Sequence, residues 1–347
     1  MLRNIIFLLL CTINLSAQID SVDIIVKNQM EKQKISGLSL AIIKDGSPLV
    51  IKGYGIANLE HNIDVHANTV FRLASISKQF FATAIMKLVQ DGKISLDDDM
   101  HKFFKKAPES WKPIQIKHLL SHTSGLVREA PGYNNFKIQS DLEIIKSAYE
   151  LPLDYPVGQK YQYCNLGYYM IAEIISQISG KSWQDFIANE LFVPAGMKET
   201  YMTDFYPVIP HRASGYVYNN GKFQNAEAMI AVRPSGGFLS TSSDMTKWDK
   251  VLQEKSIILS KENWERLWQP FIDTSPDPNS KSFYGFGWAI EDIKGHKSIG
   301  HGGSNMGFKT QYSRFVEDGL SIVVLTNTNG SNPMDIIREL ADFLFKK

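Results

Sequence analysis

Cysteine is nearly absent from this chain: there are two in 347 residues, Cys11 and Cys164. If the first is lost with a leader, one remains and no intrachain disulfide is possible. An excess of one charge is missing too. The chain has 37 basic and 36 acidic residues, and of these only Arg3 lies in the first 17, leaving 36 against 36 beyond. A balanced surface offers no electrostatic footprint for nucleic acid or an anionic membrane. There is no linker, low-complexity tract or internal repeat. The apolar run from Ile5 to Leu15 is too short to cross a bilayer comfortably. It follows Arg3 and precedes Leu15-Ser16-Ala17, so residues 1–17 read as a cleaved signal peptide. Leu10 lacks the small side chain that lipid attachment at Cys11 would need; the alternative reading is an uncleaved anchor. The mature protein is expected to be exported, periplasmic or secreted.

What is present begins with composition. Hydrophobic residues make up 44% of the chain, enough for a sizeable core. Within it the run Phe71-Arg-Leu-Ala-Ser-Ile-Ser-Lys-Gln-Phe80 carries the sole Ser-x-x-Lys, Ser75 and Lys78. A helical pattern follows at Phe80, Phe81, Ile85, Leu88 and Val89. On the first turn of a helix, residues three apart share a face about 5–6 Å apart at Cβ. That suits a nucleophile beside a base or proton carrier. The helix N-terminus adds N–H groups and positive partial charge where an oxyanion forms.

Two more elements would complete such a site. Tyr-x-Asn occurs three times, at Tyr133/Asn135, Tyr163/Asn165 and Tyr218/Asn220. Context selects the second: Pro156-Val-Gly158 marks a turn, and an apolar helix from Leu166 ends at Gly180. His301-Gly302-Gly303 follows an aromatic strand-like run, Tyr284 to Ile290, and precedes strands at 310–315 and 320–325. Paired glycines let backbone approach a ligand closely. Other patterns have plainer readings. His118 and His122 are spaced as metal ligands, but no glutamate follows His118, so a structural pair is expected. Asp97-Asp98-Asp99 does not match a calcium loop and reads as a solvated turn. Trp264 and Trp268 read as packing. Arg128, Tyr133 and Asn134 lie in an irregular stretch that could border a pocket. No metal and no organic cofactor is called for.

The order of elements sets the fold class. Residues 37–57 read as two strands joined by Lys44-Asp-Gly-Ser47; the middle, from about Phe80 to Ala231, reads as mostly helical. A helix near Ser243–Gln253, strands at 284–290, 310–315 and 320–326, and an amphipathic helix Pro333–Phe345 complete the chain. Strands at both ends around inserted helices imply an α/β (α+β) fold. Its sheet lobe spans about 18–79 and 236–347, and its helical lobe about 80–235.

The chain resembles the class C β-lactamase-like serine hydrolases, which include DD-peptidases, D-aminopeptidases and esterases. The stretches that carry the resemblance include Ser36-Gly-Leu-Ser-Leu-Ala-Ile-Ile-Lys-Asp-Gly46, Thr69-Val-Phe-Arg-Leu-Ala-Ser-Ile-Ser-Lys78 and Leu119-Leu-Ser-His-Thr-Ser-Gly-Leu126. Tyr163-Cys-Asn-Leu-Gly-Tyr168, Ser235-Gly-Gly-Phe-Leu-Ser-Thr241 and His301-Gly-Gly303 add to it. It implies a β-lactamase/transpeptidase-like fold: an antiparallel sheet flanked by terminal helices, with an all-helical lobe and the site between lobes. It implies Ser75 as nucleophile, with Tyr163 kept near the phenolate by the charge of Lys78; neutral Lys78 as base is the other option. Asn165 would position substrate, the N–H groups of Ser75 and Ser304 would form an oxyanion hole, His301 would orient the Tyr163 proton path or the substrate, and Gly302 and Gly303 would border the substrate. His301 stands where β-lactamases of this class carry lysine, and Gly302 lacks their hydroxyl, so esters, amides or D-amino-acid peptides are expected over β-lactams. A β-lactamase proper, or a penicillin-binding sensor that acylates with little turnover, shares the same residues. The expected partner is a small molecule or short peptide or ester, including peptidoglycan fragments, and the expected state is a monomer.

Overall fold

A computed structural model describes residues 20–202, 206–227, 230, 233–255, 257–277 and 281–346. Residues 1–17, read from the sequence as a signal peptide, lie outside the described residues.

A nine-stranded antiparallel sheet forms the frame. Its order is Ile63–Asp64, Ser47–Asn58, Gly37–Lys44, Leu320–Thr326, Phe308–Phe315, His296–Asn305, Ala289–Ile293, Ser282–Tyr284 and Ile272–Asp273. The third and fourth strands, Gly37–Lys44 and Leu320–Thr326, come from opposite ends of the sequence and pair Leu40 with Val324 and Ala41 with Val323. Successive side chains on a strand point to opposite faces. Leu38, Leu40, Ile42, Ile322 and Val324 therefore join one core with Val22 and Val26 of the helix over residues 20–33 and with Ile336, Ile337 and Leu340 of the helix Pro333–Phe345. Ala41, Ile43, Val323 and Leu325 face the other core, shared with Trp248 and the inserted helices. Both faces are covered, so the strand Gly37–Lys44 is buried along its length except at Lys44. The expected hairpin turn is there: Asp45 and Gly46 both take positive φ, 51° and 74°, as a tight two-residue turn requires.

Two expectations need correction. The aromatic run 284–290 is not one strand. It is the hairpin of Ser282–Tyr284 and Ala289–Ile293, with Tyr284 opposite Ala289. Gly287 turns the chain at φ 78°, and a Cβ on Gly285 would stand 2.5 Å from the Leu267 carbonyl oxygen. The insertion is not all-helical either. Past Ala195 it contains Tyr201–Met202 and the hairpin Tyr216–Asn219 with Lys222–Asn225, whose Asn220-Gly221 turn has φ 49° and 80°. The first of these strands pairs with Phe238–Ser240, which also pairs with Phe71–Arg72. The second joins Thr328–Asn329. These short pairings, in two separate three-stranded sheets, tie the insertion to the segment before Ser75 and to the end of the chain. The helix Leu166–Ser179 runs through the core and stops where Gly180 takes the left-handed conformation, φ 69°.

Candidate active site

Ser75 sits in a tight 3₁₀ turn, Ala74–Ser77, that runs into the helix Lys78–Gln90. Ala74 enters that turn at φ 50°, a left-handed conformation that costs a residue with a Cβ roughly 1–2 kcal/mol. The turn is held from two sides. Thr310 Oγ1 donates to the Leu73 carbonyl at 2.8 Å, and the Phe238 amide donates to Ser77 Oγ at 3.2 Å. Gly303 lies against it: a Cβ there would come 2.2 Å from both the Leu73 oxygen and Thr310 Oγ1. Only glycine lets the strand His296–Asn305 approach the nucleophile so closely. Ala289–Ile293 pairs with that strand no further than Gly300, so among the described residues no strand covers its outer edge from His301 to Asn305.

Lys78 is fully buried beneath Ser75. Its Nζ donates to Asn165 Oδ1 at 3.0 Å and to the Ser235 carbonyl at 2.7 Å, and lies 3.2 Å from Ser75 Oγ. The amide of Asn165 is oriented by its other end, because Nδ2 faces the Glu129 carboxylate, which can only accept. Glu129 in turn accepts from Arg233 at 2.7 Å, and the Arg233 guanidinium stacks 4.1 Å from the centre of the Tyr133 ring. Burial, reinforced by the charge of Arg233, holds the Lys78 amine well below its usual value of 10.5. A neutral amine has two hydrogens and one lone pair. The two carbonyl oxygens take the hydrogens, and the lone pair is left for the Ser75 hydroxyl.

Tyr163 is buried beside them, and burial pushes its phenol above the ordinary value of 10. Its hydroxyl makes no hydrogen bond of good geometry among the described residues, although it lies close enough to Ser75 to be stabilised by it. Lys78 Nζ lies over the face of the ring, 4.7 Å from its centre, with Arg128 5.2 Å from the same centre. Of the two readings, burial favours neutral Lys78 over a phenolate held by a lysine ammonium. Desolvation drives both groups towards their neutral forms, giving an amine that can accept a proton and a phenol that can donate one.

His301 is engaged through both ring nitrogens. Its Nδ1 lies 2.6 Å from the Gly302 carbonyl and its Nε2 2.8 Å from the Tyr284 hydroxyl. A carbonyl only accepts, so Nδ1 carries the hydrogen and Nε2 accepts from Tyr284. With both nitrogens engaged and the ring buried, its pKa is driven down to about 3, chiefly by desolvation. His301 is a neutral wedge in the sheet and not the cation of the pocket. His122 is a buried structural histidine: Nδ1 accepts from the Cys164 amide at 3.1 Å, and its ring lies 4.3 Å from that of Tyr163. His118 caps its own helix through Gln115. Trp264 and Trp268 stack on each other in the core. Cys164 is buried, its thiol pushed up to about 11 by burial.

Ser75, Tyr163, Asn165, His301, Gly302, Gly303 and Ser304 all border one cavity of about 530 Å³, with Lys78 below its floor. Arg128 borders it as well, and Tyr133 supports Arg233; Asn134 is spent on its own loop, accepting from the Phe136 amide. The reading of the sequence missed Glu129, Arg233 and Lys309. Glu129 and Arg233 are 104 positions apart and belong to no motif, so nothing local signalled their pairing.

Together these side chains can take a proton from Ser75 and give one to a departing group, which is the chemistry of a serine hydrolase working through an acyl ester. The chain belongs to the beta-lactamase family, whose model matches residues 22–346. It is 28% identical over 323 residues to penicillin-binding protein 4* of Bacillus subtilis (strain 168), covering 86% of this chain and 69% of that one. It is 24% identical over 330 residues to protein flp of Staphylococcus aureus (strain MRSA252), covering 92% of this chain and 65% of that one. Thus it spans about two thirds of the length of these curated relatives. Among solved structures, the octameric penicillin-binding protein homologue from Pyrococcus abyssi matches with a TM-score of 0.86 at 28% identity, over 95% of this chain and 78% of that chain. The D-amino acid amidase from Ochrobactrum anthropi SV3 shares the fold, with a TM-score of 0.83 at 21% identity, over 95% and 99%.

Proposed function

We propose that this serine hydrolase forms its acyl ester on Ser75 from small esters, amides or D-amino-acid peptides, with peptidoglycan fragments as the natural source. Neutral Lys78 accepts the Ser75 proton as Oγ attacks the carbonyl. The oxyanion meets the N–H groups of Ser75 and Ser304. The Tyr163 hydroxyl gives its proton to the leaving group, and the proton collected by Lys78 returns to Tyr163. Water then replaces the leaving group, and the same transfers in reverse free Ser75. The observation that carries this reading is the commitment of Lys78 to two carbonyl oxygens and Ser75 Oγ.

A fluorophosphonate probe should add mass to the Ser75 peptide, and labelling that persists in Ser75→Ala would refute the assignment. Steady-state assays on p-nitrophenyl esters, D-aminoacyl amides and nitrocefin then rank the substrates. A rapid acylation burst without turnover would favour the sensor reading. Export after removal of residues 1–17 is part of the proposal; the intact mass of secreted protein should place its N-terminus at Gln18. So is a monomeric state, to be read by light scattering, since the octamer described for the Pyrococcus abyssi homologue is a property of that protein.

A further inference from the structure

A second cavity, of about 420 Å³, has no part in the steps above. Ser304 borders the first cavity and the next residue, Asn305, borders the second. Arg72, three residues before the nucleophile, and Arg212 both border the second cavity. They are brought together by strand pairing, since Phe71–Arg72 continues from Val70, whose backbone bridges that of Arg212.

These arginines lack what buried cations normally have. Arg72 is largely buried, and its Nη1 has no hydrogen-bond partner. Neither guanidinium forms an ion pair among the described residues. Burial, and then the charge of Arg212, pull the Arg72 guanidinium down to about 10. Two like charges held together and partly stripped of water are costly unless an anion joins them. Each guanidinium presents a planar fork of donors that fits a carboxylate in two-point fashion. Glu227, the carboxylate at the rim, is exposed and pairs with neither arginine.

We propose that this cavity is a second subsite of the acyl-transfer centre, where Arg72 and Arg212 together receive a carboxylate carried by the substrate away from its scissile carbonyl. The proposal rests on the reading of Ser75 as nucleophile. It narrows the substrate class to anionic esters, amides or peptides.

The test uses matched ester pairs on the full chain. One pair places the carboxylate on the acyl side: p-nitrophenyl butyrate against the mono-p-nitrophenyl ester of glutaric acid. The other places it on the leaving group: phenyl acetate against 3-carboxyphenyl acetate. In at least one pair the wild type should favour the anionic ester in kcat/KM. Loss of one charged hydrogen-bonding partner should cut that preference about tenfold or more in Arg72→Gln and in Arg212→Gln. Arg72→Lys should keep part of it, and Glu227→Gln should raise it. Taking the ratio within each variant divides out any general loss of folded enzyme. Ratios that do not move in either arginine variant overturn the proposal. So does inorganic phosphate binding, by calorimetry, that disappears in Arg212→Gln while both ester ratios stay fixed, because the pair would then hold a free anion and no part of the substrate. A protein that turned over no ester and left Ser75 unlabelled would refute the hydrolase reading itself, and this extension with it.

Discussion

Asn165→Asp is the sharpest test of the proposed base. The substitution hardly changes shape, but it puts a negative charge where Asn165 Oδ1 now sits, 3.0 Å from Lys78 Nζ. At an effective dielectric near ~20, a unit charge at that distance favours the ammonium by about 5 kcal/mol. Glu129, bonded to the same side chain, repels the new carboxylate, and Arg233 offsets only part of that. A net of about 3 kcal/mol remains, which raises the Lys78 pKa by about two units. In the wild type, burial holds Lys78 well below 10.5, so its neutral form is available at neutral pH. In the variant the acid limb of kcat/KM should move up by those units. Activity at pH 7 should fall by up to about a hundredfold and be recovered at alkaline pH, since each unit of pKa is worth about tenfold in the free base. The assay is the rate of Ser75 labelling by a fluorophosphonate, followed across pH beside Asn165→Ala, which removes an acceptor without adding charge. An acid limb that stays in place in Asn165→Asp, or moves down, would show that Lys78 is not the titrating base.

The remaining expectations follow from the same geometry. Tyr163→Phe should slow alkyl esters and amides by about a hundredfold, the usual worth of a positioned proton donor, yet affect p-nitrophenyl esters far less, because that leaving group needs no proton; equal losses on both would remove Tyr163 from that role. Gly303→Ala should destabilise the protein by about 1–3 kcal/mol, an overpacking cost, as the new methyl meets Leu73 and Thr310, and labelling of Ser75 should slow with it; thermal melting and labelling rates check both. The pH profile should show no inflection from His301 near ~6.5, the ordinary histidine value, because the ring stays neutral down to about 3; a wild-type inflection there that vanishes in His301→Gln would contradict this. Cys164→Ser should keep most activity, given a buried side chain whose Sγ lies 3.2 Å from the Val127 carbonyl, accepts from the Gly167 amide and contacts Ser124; complete loss in ester assays would show that the thiol does more than pack.

The sequence made legible whatever depends on residues close together in it. Ser75 and Lys78 share a helix start, and Tyr163 and Asn165 precede an apolar helix that ends at Gly180, so both pairs could be read and placed. The glycines at 302 and 303 announced a close approach, and Gly303 makes one to the nucleophile turn. The protonation states could not be read. They depend on burial, on the Ser235 carbonyl reaching Lys78 from 157 positions away, and on Tyr284 reaching His301 from another strand. The break within 284–290 was passed over because its aromatic residues favour strand, although Gly285 and Gly287, the latter at φ 78°, let the chain turn back. The Glu129–Arg233 pair bridges two irregular segments in which no periodicity exists to be read.

The uncovered edge from His301 to Asn305 has a consequence for how substrate range can change. Hydrogen bonds along a strand edge read the direction and spacing of an incoming backbone and ignore its side chains. An extended peptide or amide could therefore register beside Ser75 whatever its residues are. Discrimination falls to the bordering side chains, such as Lys309, Gln311 and Met334, none of which carries out a chemical step. On the proposed function, holding and choosing fall to different parts: the strand would present a carbonyl to the nucleophile, while the rim could change without disturbing the lysine beneath it.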